Sequence, residues 1–189
     1  FRRAVAFAVD KETGVQDIWE GYAEPFDSSI PPSLAEWSIE SELVENYYTQ
    51  DQVAVQTVLS DAGFTLVGGW WQDPNGVAID IEVKGYALSE IAMGYAYQIA
   101  ENLVECNISA TAIPADFNTF LGDLYYHGDY DLIFGGRGLN TPDPVWMYYE
   151  YHSQFWNTSF QNAPSFQNAS MDVILDELLV TDNRTRAIE

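Results

Sequence analysis

Cations are scarce in this chain. Seven Lys and Arg residues stand against 29 Asp and Glu, for a formal net charge of −22 over 189 residues. Only Lys11 and Lys84 are lysines. So negative a surface repels phosphate backbones, which excludes nucleic acid as a partner, and it disfavours anionic membranes for the same reason. Cysteine is nearly absent as well. Cys106 stands alone, so the chain closes no internal disulfide, and its place at the end of a helical pattern marks it as a small core residue. No apolar run approaches the roughly 20 residues that span a bilayer. Neither a signal-peptide pattern nor an initiator Met opens the chain; it starts mid-pattern at "FRRAVAFAVD" and reads as an excised fragment.

Catalytic and cofactor signatures are missing too. His127 and His152 lack a partner at ligand spacing, so no metal site is expected, and no cofactor. The stretch "GGRG" has no Lys-Ser/Thr of a phosphate loop, and neither GxGxxG nor GxSxG occurs. A glycan hydrolase needs two carboxylates about 5–10 Å apart in one cleft, and any pair drawn from so many acids is arbitrary. The expectation is therefore a protein that is not an enzyme, with the hydrolase kept as the rival class.

What is present supports a core. Hydrophobic residues make up 47% and aromatics 15%, which excludes a disordered acidic tail and suits one domain, or one lobe of a larger protein. Dense carboxylates with few cations fit high salt or acid, the habitats of archaeal and other extremophiles. Crowded carboxylates are expected to have raised pKa values in the folded state, so that stability rises as pH falls. Four Asn-x-Ser/Thr sequons, at Asn107, Asn157, Asn168 and Asn183, fit a surface protein.

Periodicity predicts helices over residues 1–9 and 11–20, the second ended by Gly21. Residues 22–47 are acidic, aromatic and broken by proline, and read as loop. A helix over 51–62 ends at Gly63. After a turn at Asp73–Gly76 comes a strand over 77–84, with Val77, Ile79, Ile81 and Val83 alternating. A helix over 88–105 places Leu88, Ile91, Ala92, Tyr95, Ile99 and Leu103 on one stripe. A strand over 108–113, a helix over 115–126 burying Phe117, Phe120, Leu121 and Leu124, and a strand over 130–134 follow. This β-α-β-α-β order implies a parallel sheet, and a helix over 170–180 turns Ile174, Leu175, Leu178 and Leu179 inward.

Ligands of open parallel sheets bind beyond the carboxyl ends of the strands. "GGRGLNTPDP" leaves the third strand at that end, and Gly135, Gly136 and Gly138 permit close backbone approach. Arg137 either pairs with Asp143 or faces a ligand. "VWMYYEYHSQFW" sets Trp146, Tyr148, Tyr149, Tyr151, Phe155 and Trp156 close together, as buried aromatics or as a stacking platform.

These pieces, in this order, resemble the extracellular solute-binding proteins of family 5, the oligopeptide- and dipeptide-type receptors of ABC importers. "FRRAVAFAVDKE" resembles the family's opening helix pair and "LSDAGF" its helix end. "IAENLVECNISATAIPADFNTFLGDLYYHGDYDLIFGG" is similar to its central helix-strand-helix-strand run. "DPVWMYYEYHS" and "SFQNASMDVILDELLVTDNRTR" are similar to its later segments. The resemblance covers nearly the whole chain. It implies an α/β fold, a periplasmic binding protein type II-like lobe with a mixed sheet and a βαβαβ core flanked by helices. Residues 1–189 would form a single lobe, the second of two, with the first lobe and the C-terminal crossover outside the chain. It further implies a monomeric receptor outside the cell, tethered to the membrane through a part not in this chain, that captures an oligopeptide or an oligosaccharide for a membrane permease. The implied ligand-binding residues are Gly136, Arg137, Gly138, Asn140, Asp143 and Trp146. In the peptide-binding branch an aspartate four residues before the Asp-Pro proline takes the peptide's amino terminus. Here Asn140 holds that place, and it brings a hydrogen-bonding amide without a charge.

Overall fold

The fold is built around one short strand rich in small and β-branched residues, "DIEVKGY". In the computed structural model, residues 1–189 are described except 44–46, 137, 139, 140, 142, 159 and 189 and the side chains of 127 and 188. The strand β3, Asp80–Tyr86, lies between β4, Ser109–Ala115, and β5, Leu132–Phe134, and pairs in parallel with both. Asp80 faces Ser109 and Tyr86 faces Ala115 across one ladder; Val83 faces Leu132 across the other. Parallel neighbours need a crossover, and the helix α4, Glu90–Glu105, supplies the first. Ser89 caps it, its hydroxyl accepting from Ala92 N at 3.1 Å.

The chain divides into two compact units. The first comprises Phe1–Asp27, Val44–Phe120 and Tyr130–Gly136. It contains the sheet, α4, and the helices α1, Arg2–Ala8, α2, Lys11–Thr13, and α3, Gln52–Asp61. After α2 the backbone widens into a π-helical turn over Gly14–Ile18. Val55, Leu59, Val83, Leu103 and Ile108 are fully buried in this unit. The strands β1, Thr65–Val67, and β2, Trp70–Gln72, form an antiparallel hairpin that periodicity missed, because each is only three residues long. Trp71 anchors it by donating its indole N–H to the Cys106 carbonyl at 3.1 Å, and Cys106 is itself in the core. The second unit comprises Ser28–Leu43, Leu121–Asp129 and Arg137–Glu189. Its helices are α6, Trp146–Tyr151, α7, Ala169–Val180, and α8, Arg184–Ile188. The helix α5, Phe117–Gly122, begins in the first unit and ends in the second.

Several expected faces are corrected. The strand begins at Asp80 rather than at residue 77, because Val77 belongs to the turn: Asp73 Oδ1 accepts from both Asn75 N and Val77 N. Leu88 lies outside α4 and is 84% exposed. The buried face of α4 is Ala92, Met93, Ala96, Ala100 and Leu103. The small residues on it let the helix sit close to the strand. In α7 only Leu175 is buried, while Ile174 and Leu179 are exposed. Phe117 is exposed as well. The strand expected to stop before Pro114 runs through it, which an edge strand tolerates.

Gly85 marks the tightest contact of strand and helix. A Cβ there would lie 2.8 Å from the Ala92 carbonyl oxygen, 3.0 Å from Met93 Sδ and 3.1 Å from Ala96 Cβ. Gly85→Ala must therefore push α4 off the sheet, an overpacking that costs about 1–3 kcal/mol. Urea unfolding of the variant is expected to show a lower midpoint; an unchanged midpoint would disprove the contact.

Candidate ligand-binding site

The three parallel strands of the first unit end together, at Tyr86, Ala115 and Phe134. The ladder continues one step further, with Ala87 N donating to the Ala115 carbonyl at 2.8 Å. Aromatic rings gather at this edge. Tyr86 meets Phe117 edge-on at 5.7 Å between centroids and Phe120 at 6.3 Å. Phe134 stacks on Tyr95 at 4.3 Å, with the ring planes 10° apart. Phe120 is buried and closes against Gly135, where a Cβ would come within 3.2 Å of its ring. Phe117, by contrast, is 55% exposed.

Local chemistry explains that exposure. Asp116 follows β4 directly and caps α5. Its carboxylate accepts from Asn118 N at 3.0 Å, Thr119 N at 3.2 Å and the Thr119 hydroxyl at 2.6 Å. The helix therefore starts at the very end of the strand, and its first residue, Phe117, overhangs the edge with no earlier turn to cover it. Gly136, two residues beyond β5, is open. At Gly136 an added Cβ would meet nothing within 4 Å. An exposed flat ring can stack on a ring or side chain of a ligand, and an open glycine backbone can accept or donate hydrogen bonds.

The other expected site residues belong to the second unit. Arg137 and Asn140 lie outside the described residues, and so does any pairing of Arg137 with Asp143. Gly138 and Asp143 are exposed. Asp143 Oδ1 accepts from Val145 N at 2.9 Å, and its carbonyl accepts from the Thr141 hydroxyl at 3.1 Å, which shapes the turn into α6. Asp143 also lines a cavity of about 450 Å³ with Glu36, Trp37 and Arg184. Trp146 opens α6 and is half-buried; its indole nitrogen is buried without an acceptor among the described residues. Tyr148, Tyr149 and Phe155 pack on one another at 5.3–5.4 Å, while Trp156 is exposed. A second, mainly apolar cavity of about 480 Å³, lined by Trp37, Ile39, Met147, Met171, Ile174 and Leu178 among others, contains none of the expected site residues. Among the described residues no group of three or more His, Cys, Asp or Glu is placed to hold a metal ion. His152 is nonetheless buried, with Nε2 3.3 Å from Asp176 and Nδ1 3.8 Å from Asp172.

Sequence reasoning missed Phe117 and Tyr86 as surface groups. The signal was available: an aspartate at the end of a strand, with Thr three residues on, starts a helix at once and leaves its first side chain at the strand end.

The chain is similar to known proteins at two levels. The family model of bacterial extracellular solute-binding proteins, family 5 Middle, matches residues 1–159. Among curated proteins no sequence matches significantly. Among solved structures, a periplasmic oligopeptide-binding protein of Thermotoga maritima with bound mannohexaose superposes with a TM-score of 0.84 at 23% identity, over 100% of this chain and 36% of that one. The oligopeptide-binding protein AppA of Bacillus subtilis, in complex with a nonapeptide, gives 0.86 at 17% identity, over 99% and 36%. NikZ of Campylobacter jejuni, in complex with Ni(L-His), gives 0.82 at 18%, over 99% and 36%. The chain thus spans little more than a third of the length of these solved relatives. They share the type II-like periplasmic binding protein fold, which is the α/β architecture expected. No helix among the described residues is long and apolar enough to cross a membrane.

At four carboxyls the pKa displacement runs opposite to the expected one, down rather than up. The Val77 N–H lowers Asp73, the Thr119 hydroxyl lowers Asp116, the Ser153 N–H lowers Asp172, and Arg186 lowers Glu177. Hydrogen bonds to the ionised form outweigh desolvation at these positions. A carboxyl whose folded pKa lies below its unfolded value contributes stability that is complete above the ordinary value near 4 and is lost as pH falls through the folded one. Melting temperature is therefore expected to drop as pH falls from about 5 to about 3, and to drop less in Asp116→Asn. A melting temperature that climbs over that interval would contradict this sign.

Proposed function

The chain belongs to the bacterial extracellular solute-binding proteins of family 5, and from that premise we propose that it is the ligand-holding part of an ABC importer's receptor. On this reading residues 1–189 are one lobe of a two-lobe protein, consistent with its coverage of about a third of the solved relatives. The receptor works outside the cell, tethered through a part not in this chain, and delivers its solute to a membrane permease. It binds rather than converts, since the family is one of solute-binding proteins.

The observation that carries the reading is the carboxyl edge of the parallel sheet, where exposed Phe117 stands against Tyr86 and the open glycine Gly136 follows β5. Ligands of open parallel sheets occupy this place. The family resemblance adds Gly136, Arg137, Gly138, Asn140, Asp143 and Trp146 as candidate ligand contacts. The solute is an oligopeptide or an oligosaccharide. An uncharged amide at Asn140 favours a neutral polyol, because it leaves a peptide's ammonium without a counter-charge.

Titration calorimetry of the complete receptor with a nonapeptide and with mannohexaose tests both the site and the choice. Phe117→Ala is expected to cost about 1–2 kcal/mol with whichever probe binds, about a tenfold loss. If the sugar binds, Asn140→Ala costs about 1–3 kcal/mol and Asn140→Asp brings no gain. If the peptide binds, Asn140→Asp tightens it by supplying the missing charge. Affinities within about twofold of the parent in all three variants, with melting unchanged, would remove this edge as the binding site.

A further inference from the structure

The four sequons have no part in ligand capture, and the structure separates them into two kinds. Asn107 closes α4, donating its backbone N–H to the Val104 carbonyl at 2.9 Å, while its own carbonyl accepts from Trp71 N at 3.0 Å. The next residue, Ile108, is fully buried, and Ser109 opens β4, its hydroxyl donating to Asp80 Oδ1 at 2.8 Å. That tripeptide is locked into the core and the sheet.

The other three sequons all belong to the second unit, and their asparagines are exposed. Asn168 caps α7, its Oδ1 accepting from Ser170 N at 3.0 Å and Met171 N at 3.2 Å. Asn183 caps α8 in the same way, with Oδ1 accepting from Arg186 N at 3.2 Å. In both, the oxygen of the side-chain amide is committed, and the nitrogen has no partner among the described residues. A substituent on Nδ2 leaves both caps intact. Asn157 stands in a turn with φ at 58°, its side chain without a partner among the described residues; the hydroxyl residue of its sequon, Ser159, lies outside them. The same stretch of chain exposes Trp156, Phe160, Val173, Ile174, Leu179 and Val180. An apolar surface of that extent invites association unless something hydrophilic covers it.

We propose that Asn157, Asn168 and Asn183 carry N-linked oligosaccharides and that Asn107 does not. The proposal rests on the extracellular reading, since the donor and its transferase face that side. The donor is an oligosaccharide joined through phosphate to a lipid carrier. Asn Nδ2 attacks the anomeric carbon, the carbon–oxygen bond to the phosphate breaks, the lipid phosphate leaves with the bonding electron pair, and Nδ2 gives up one proton to a base. The glycans then shade the apolar side chains of residues 156–180.

The test is peptide mass mapping of the full-length protein isolated from its own cells, before and after chemical deglycosylation. Peptides bearing at least two of the three exposed asparagines are expected to lose hexose-type mass, while the Asn107 peptide stays at its unmodified mass. A glycan on Asn107, or bare peptides at two of the three sites, overturns the proposal. Protease shaving of intact cells reads location separately. Bare asparagines on a shaved, surface-located protein sink the glycans and leave the receptor reading standing. A protein that resists shaving because it lies inside the cell sinks the extracellular reading itself.

Discussion

The seat of α4 on Gly85 is the contact on which the architecture of the first unit depends. With no side chain at that point of the central strand, the helix backbone reaches the sheet, and Ala92, Met93 and Ala96 fix its position along β3. That position sets where the helix can begin, at the Ser89 cap, and so where β3 must end. Both neighbours pair with β3 in parallel, so their ends are brought to the same side. The open edge with Tyr86 and Phe117 is a consequence of this packing. A larger residue at 85 therefore acts on this strand-end edge as well as on stability.

A chain with so many carboxylates folds by giving many of them backbone work. Asp10, Asp51 and Asp116 each receive N–H groups at the start of a helix, where a negative charge also meets the positive end of the helix dipole. Asp73 holds a turn and Asp172 holds Ser153 N. Three of the cations are held by carboxylates. Arg186 forms a forked pair with Glu177 at 2.8 and 2.9 Å, Lys11 pairs with Asp27, and Arg184 joins Glu36 while lying over the Trp37 ring at 5.4 Å. Acid sensitivity follows from the backbone-bonded carboxylates, because protonation removes their acceptor charge where the structure uses it. Like-charge crowding does not set the direction at these groups.

Much of the fold was legible in advance, because element type follows from local rules. The helix expected over 88–105 and found at Glu90–Glu105 is a property of a short stretch, as are the positive φ at Gly63 and the β-α-β-α-β order. The place of the candidate site was legible for the same reason, since a glycine-rich loop after a parallel strand marks a carboxyl edge. Which side chains face inward was less legible. Periodicity puts Phe117 on one stripe with Phe120 and Leu121, and Ile174 and Leu179 on one stripe with Leu175. Burial, however, depends on what stands opposite each residue.

The sequence by itself determined the charge, the helix starts, the turn at Asp73–Gly76 and the absence of an internal disulfide, because each depends on residues adjacent in the chain or on composition. Tertiary structure alone decided that Gly85 meets α4 and that Trp71 hangs the hairpin on the Cys106 carbonyl. It alone left Phe117 standing free at the strand ends and locked one sequon into the sheet. These outcomes depend on distances between segments far apart in the chain. A local pattern carries the preference of each segment but not the partner that will occupy the space beside it.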